Sequence, residues 1–134
     1  MNMSETIHVI EDNSLRATGS GFEVNLRFKW YRSLPLSCIE GLQFWLDDQQ
    51  VDRSLLHFGI NGHRYRLDEL PELVEEFWFI LDSAVLGVDL PGRVGPGESH
   101  QVEVAFGMRA PYIRIGPGKF LTVMNRHSAI QLAG

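Results

Sequence analysis

Apolar and polar residues alternate over residues 22–30, with Phe22, Val24, Leu26, Phe28 and Trp30 in one set and Glu23, Asn25, Arg27 and Lys29 in the other. A period of two is the mark of a strand with one face buried and one in water, so the stretch predicts an antiparallel strand. Asn61-Gly62 separates two further runs, 56–60 and 63–67. A two-residue turn that matches the twist of its strands needs positive φ at both positions, which Asn and Gly tolerate, so a tight hairpin is predicted. Its register follows: Ile60 opposite His63, Phe58 opposite Tyr65 and His57 opposite Arg66. His57 and His63 then point to opposite faces.

Weaker alternation predicts strands over 41–46, 77–81, 84–88 and 100–108, with 120–124 the least marked. Asp47-Asp48, Pro91-Gly92, Pro96-Gly97 and Pro117-Gly118 are turn signals between them. Residues 68–75 offer a single helical turn, limited by Pro71 near its start. Many short strands with regular turns imply an all-β fold, an antiparallel, jelly-roll-like β-sandwich forming one domain over residues 1–134. The pattern fades over residues 1–14 and 125–134, which are read as frayed ends or as arms that dock on a partner.

Composition agrees with a packed domain: 134 residues, 44% hydrophobic and 22% charged. A chain of this size buries roughly two-thirds of its unfolded surface, enough for a core without disulfides or metal. Cys38 is the only cysteine, which fits a reducing compartment. The net charge of −5 provides no footprint for a phosphate backbone, so nucleic acid is not an expected partner. No basic and apolar leader is visible at the start, and no apolar stretch approaches a bilayer span. The expectation is a cytoplasmic protein with no membrane contact.

Searches for reactive groups return little. The five histidines, His8, His57, His63, His100 and His127, contain no pair at zinc-ligand spacing, so no metal site is expected in this chain. Cys38 has no basic neighbour in sequence to activate it and reads as a small buried hydrophobe. Gly19-Ser20-Gly21 lacks the spacing of a nucleophile elbow, and the 91–98 glycine-rich run lacks the lysine and the following helix of a phosphate loop. Asp47-Asp48, Asp68-Glu69 and Glu75-Glu76 are adjacent carboxylates beside turns, which read as solvated charges. No catalytic residue is expected in this chain.

An excess of aromatic residues is the more informative feature. In 41–46, Trp45 opposes Leu42, Phe44 and Leu46; in 77–81, Trp78 and Ile80 oppose Phe77, Phe79 and Leu81. One face of each builds the core. The other, carrying Trp45 and Trp78, is covered by the chain's own loops, by a neighbouring chain, or by a stacked sugar ring. After the best strand, Trp30-Tyr31-Arg32-Ser33-Leu34-Pro35 forms a stiff exit, with Leu34 held extended by Pro35. It suits a polar ligand, an interface or an ordinary packed strand exit.

Gly21-Phe22 at a strand start, followed by the aromatic-Tyr-Arg-x-x-Pro-Leu-Ser run at 30–37, resembles the beta subunit of bacterial C-glycoside deglycosidases. Residues 47–51 resemble that family's Asp-Gly-Glu-x-Val turn, 58–70 its Gly-x-x-Tyr-x-Leu-Asp-Glu hairpin, and 95–104 its Pro-Gly-x-His-x-Val-x-Val strand. The ordered matches span residues 21–115. This chain has Trp30 in place of tyrosine, Ser33 in place of glycine, and Gln49-Gln50 in place of Gly-Glu.

The resemblance implies a β-sandwich accessory subunit, assembled with a (β/α)8-barrel alpha subunit into a heterodimer that associates further. The barrel would hold the catalytic centre and a divalent metal, taken as manganese, leaving this chain without a cofactor of its own. The implied reaction cleaves the carbon–carbon bond of a 3-oxo C-glycoside, typically of a flavonoid, by metal-assisted acid/base elimination. Trp30, Tyr31, Arg32, Leu34 and Pro35 would form a rigid edge near the partner or its active-site mouth. A free sugar-binding or protein-interaction sandwich is the alternative.

Overall fold

The computed structural model describes residues 8–134. Among them, strands β1 (Arg16–Ala17), β2 (Phe22–Leu26), β9 (Ala84–Val88), β6 (Leu56–Ile60) and β7 (His63–Arg66) form one sheet in the order β1-β2-β9-β6-β7. The second sheet runs β11 (Lys119–Leu132), β10 (Ser99–Gly116), β4 (Ile39–Leu46) and β5 (Gln49–Gln50). A short ladder of β3 (Leu34–Pro35) and β8 (Phe77–Trp78) borders them. All pairings are antiparallel.

The expected sandwich follows from the alternation. Phe22, Val24 and Leu26 of one sheet and Leu42, Phe44 and Leu46 of the other are buried, and the Phe22 and Phe44 rings meet at 6.0 Å. Gly21 at the mouth of β2 is a steric requirement, because a Cβ there would lie 1.9 Å from the Val88 carbonyl oxygen. The hairpin has the expected register at every pair, with φ of 53° at Asn61 and 79° at Gly62. The helical turn is a 3-10 turn, Leu67–Glu72, with Pro71 inside it.

Three expectations change. The strand predicted over 22–30 ends at Leu26, because its neighbour β9 begins at Ala84, opposite Leu26; Phe28 still points into the core. The 77–81 stretch pairs only at Phe77 and Trp78, then turns as the Asp82 amide donates to the Phe79 carbonyl (2.9 Å). Residues 125–134 are not an arm: β11 runs to Leu132, paired along β10.

That last segment escaped the alternation rule for a physical reason. The positions of β11 that face inward carry Asn125, His127 and Gln131, whose side chains stand in for a neighbouring strand. Gln131 Oε1 accepts from the Ser14 and Leu15 amides (3.2 and 2.9 Å), and its Nε2 donates to the Glu11 carbonyl (2.8 Å). His127 Nδ1 accepts from the Ile10 amide (3.0 Å), and Asn125 Oδ1 accepts from the Lys29 amide (2.7 Å). The same ties hold the N-terminal segment, so the arm reading fails for residues 8–14 as well. Val9 and Ile10 are buried. Residues 1–7 of that expected arm lie outside the described residues.

Candidate functional site

The β3–β8 ladder joins two segments that the sequence separates by more than forty positions. Leu34 sits opposite Trp78 and Pro35 opposite Phe77. Three further ties hold the loop: the Leu36 amide donates to the Glu76 carbonyl (2.8 Å), the Ser37 amide to the Leu73 carbonyl (3.2 Å), and the Ile80 amide to Ser33 Oγ (2.8 Å). The loop after β2 is therefore pinned at both its middle and its end. Arg27 fixes the neighbouring turn by donating from its guanidinium to the Leu81 carbonyl (2.6 Å).

The parity of this ladder reverses one expectation. Trp78 is a core residue, not a surface aromatic: it is fully buried among Phe28 (4.7 Å between ring centroids), Phe58 (5.2 Å) and Phe106 (5.8 Å). Its indole N–H is satisfied by the Asp82 carbonyl (2.9 Å). The residues facing outward are Phe77, Phe79 and Leu81, which are 38%, 53% and 78% exposed. Phe77 and Phe79 stack at 6.3 Å. Leu34, expected at the edge, is also buried, because its partner in the ladder is Trp78.

Tyr31 and Arg32 do reach the surface, and they meet a residue from the far end of β10. The Arg32 guanidinium lies 4.4 Å from the centroid of the Tyr112 ring, a cation–π contact. Tyr31 approaches that ring edge-on at 6.4 Å and packs on Trp30 at 4.7 Å. The half-buried Trp30 rests on the core and donates its indole N–H to the Tyr112 hydroxyl. Hydrogen bonding with Tyr112, followed by desolvation, raises the Tyr31 phenol above its ordinary value. The Tyr31 hydroxyl therefore stays protonated at neutral pH.

Tyr112 is not legible in the sequence because the apolar and polar alternation of β10 stops at Met108. Pro111 cannot donate to a ladder, and the β10–β11 register shifts between Ala110 and Arg114. The signal that would have found Tyr112 is the aromatic directly after that proline. Pro35 is half-buried against Phe77. Trp45 belongs to another surface, the outer face of the second sheet, where it sits opposite Glu103 with the Arg126 guanidinium 5.7 Å from its ring.

The aromatic edge presents aromatic area, a cation and hydroxyl groups at the surface. Cys38, beside the loop, is buried, and desolvation raises its thiol despite the nearby Arg109 guanidinium. Arg109 itself is engaged by Glu40 (2.9 Å) and the Ser37 carbonyl (3.2 Å).

A second constellation unites two of the sequence motifs in a brace. His100 Nδ1 meets Asp47 (2.7 Å) and its Nε2 meets Glu98 (3.0 Å). Asp47 also accepts from the Gln101 amide (2.9 Å), and Glu98 from the Gly95 amide (2.8 Å). The two carboxylates raise the His100 imidazole above its ordinary value, and His100 in turn lowers both of theirs. The group pins the turn after β4 and the approach to β10. Among the described residues, no three His, Cys, Asp or Glu side chains are arranged to hold a metal ion, and no helix is long and apolar enough to cross a membrane.

Comparison with known proteins places these features in a family context. The family model described as C-glycoside deglycosidase beta subunit matches residues 5–112, a span that reaches Tyr112. A protein of Microbacterium trichothecenolyticum named C-glycoside deglycosidase beta subunit is 34% identical over 120 residues, covering 90% of each chain. A Microbacterium sp. protein named 3'-dehydrocarminate deglycosidase beta subunit is 36% identical over 115 residues, covering 86% of this chain and 85% of its own. A C-glycoside deglycosidase beta subunit of Arthrobacter globiformis is 36% identical over 105 residues, covering 78% and 79% respectively.

Proposed function

Because the chain belongs to the family of C-glycoside deglycosidase beta subunits, we propose that it is the accessory subunit of a heteromeric enzyme that releases the aglycone from a 3-oxo C-glycoside. The carbon–carbon bond is broken by acid/base elimination, a lyase reaction, in a larger (β/α)8-barrel partner. A ketone at sugar C3 acidifies the proton on C2. Its removal by a base, with protonation of the departing aromatic carbon, expels the aglycone and leaves an unsaturated ketone. The aglycone is a flavonoid or a related aromatic. A divalent metal, manganese, belongs to the barrel and supplies Lewis acidity there. The heterodimer associates further, and the assembly is cytoplasmic.

The observation that carries the accessory role is the aromatic edge. Tyr31 and Arg32, on a loop held by β3–β8, meet Tyr112 of β10 at the surface, and Phe77, Phe79 and Leu81, within and after β8, are exposed as well. Tyr and Arg in that setting are the residue types of interface hot spots, and a pre-ordered loop loses little entropy on docking. The 3'-dehydro prefix in one relative's name supports an oxidised sugar as the substrate class.

The test is to produce this chain with its barrel partner and assay each alone and together on a 3-oxo C-glucoside with manganese. Aglycone release by the complex and by neither chain alone is expected. Full activity of the barrel alone would overturn the accessory role.

A further inference from the structure

The outer face of the β1-β2-β9-β6-β7 sheet carries an unusual floor. Its register places Glu23, Gly87, His57 and Arg66 in one row and Asn25, Val85, Gly59 and Arg64 in the next. Each of the two central strands therefore presents one glycine, Gly87 beside His57 and Gly59 beside Val85, which lowers the floor at two diagonal positions. The result is a trough of about 310 Å³, with the Thr18 and Ser20 hydroxyls at one end.

Neither glycine is required by the chain itself. Neither has a positive φ, and a Cβ would make only ordinary contacts: 3.6 Å to Val85 at Gly59 and 3.9 Å to His57 at Gly87. Glycine weakens a strand interior, and where the fold does not demand it the usual reason is the close approach of another group. Gly21, with a carbonyl oxygen 1.9 Å from where its Cβ would be, shows what a structural requirement looks like in this sheet.

The walls identify the chemistry. His57 Nε2 is hydrogen-bonded to Asp89, and Arg64 reaches the same carboxylate at 3.4 Å with its side chain 60% exposed. Glu23 stands on the opposite flank, accepting from Arg16. Cationic and anionic groups alternate, so an ionic ligand of either sign meets repulsion from part of the wall. A neutral molecule whose hydroxyls each donate and accept meets none. The volume lies at the lower end of the range of about 300–1,000 Å³ for small-molecule sites, which suits one ring rather than a whole aryl glycoside.

We infer that this trough binds a neutral pyranose, with Gly59 and Gly87 giving the ring access to the sheet and Arg64, His57 and Glu23 bonding its hydroxyls. It lies on the outer face of the first sheet and uses none of the residues of the aromatic edge, so it stands or falls separately from the partner-docking reading.

The experiment is an NMR titration of the full chain with D-glucose, with sodium sulfate as the anionic control, followed at the amides of His57, Gly59, Arg64 and Gly87. Glucose is expected to shift these amides saturably, with a Kd tighter than about 10 mM, while sulfate does not. Gly59→Ala and Gly87→Ala are expected to abolish the shifts while raising Tm by about 2–4 °C; Arg64→Ala weakens binding at unchanged Tm. Loss of Tm in both glycine variants would show that the fold needs them and would overturn the inference. So would an absent response to glucose, a response to sulfate instead, or shifts seen only when the barrel partner is added, which would make the trough an anion site or a protein contact.

Discussion

The aromatic edge and the seam between β11 and the N-terminal segment are built from opposite materials. At the seam, Asn125 and Gln131 are almost completely buried and turn their amides toward backbone groups of other segments. At the edge, backbone groups are satisfied by the β3–β8 ladder and its ties, while Tyr31, Phe79 and Leu81 face water. Polarity directed inward has a purpose within the chain, because it replaces missing strand partners. Apolarity directed outward has none within the chain, and its use must be sought in an assembly. Changes at the seam should then act on stability, and changes at the edge on association.

The largest effect is expected where the two meet the common core. Trp78→Ala removes the indole that lies under the edge and touches Phe28, Phe58 and Phe106, and should cost about 3–5 kcal/mol in chemical denaturation. It should loosen β3–β8 as well, so amide exchange at Leu34 and Trp78 would rise. At the seam itself, Gln131→Ala strands the Ser14 and Leu15 amides and leaves the Glu11 carbonyl with only the Ser14 hydroxyl as donor, for an expected loss of about 2–3 kcal/mol. Asn125→Ala leaves only the Lys29 amide without its acceptor and should cost about 1–2 kcal/mol. A seam variant that kept full stability but failed to bind the partner would break the distinction.

The smallest expected effects are those of pH, and they carry opposite signs in the two histidines. His100 is raised by Asp47 and Glu98, so its contribution is full below the ordinary histidine value and disappears as pH rises through the raised one. Its carboxylate partners are lowered, so their contribution holds above the ordinary carboxylate range and disappears as pH falls through their lowered values. His127 is lowered, chiefly by burial, and must stay neutral to accept from Ile10. Its contribution is full above the ordinary histidine value and disappears as pH falls through the lowered one. Thermal melts between about pH 5 and 9 should show His100→Gln destabilised most on the acid side of neutrality, and His127→Asn most on the alkaline side.

The same contrast explains what could be read from sequence. The β6–β7 hairpin was legible to the residue because Asn61-Gly62 fixes the turn and the turn fixes the register. β11 was legible only at its start, since a strand whose inner face carries Asn125, His127 and Gln131 has no apolar alternation to find. In 77–81 the alternation was real but its sense was undetermined: aromatics lie on both faces, and only the pairing of Leu34 with Trp78 decides which one is inside. Of the candidate site, Tyr31 and Arg32 were visible as an exposed strand exit. Tyr112 was not, because its contact with them depends on how far β10 extends past Pro111.

The most direct test is the affinity of the full chain for its barrel partner, measured for the natural sequence and for Tyr31→Ala with Arg32→Ala. These exposed side chains should leave stability within about 0.5 kcal/mol while association weakens at least about tenfold, as for hot-spot residues. Unchanged affinity with an unchanged fold would contradict the edge as the docking face.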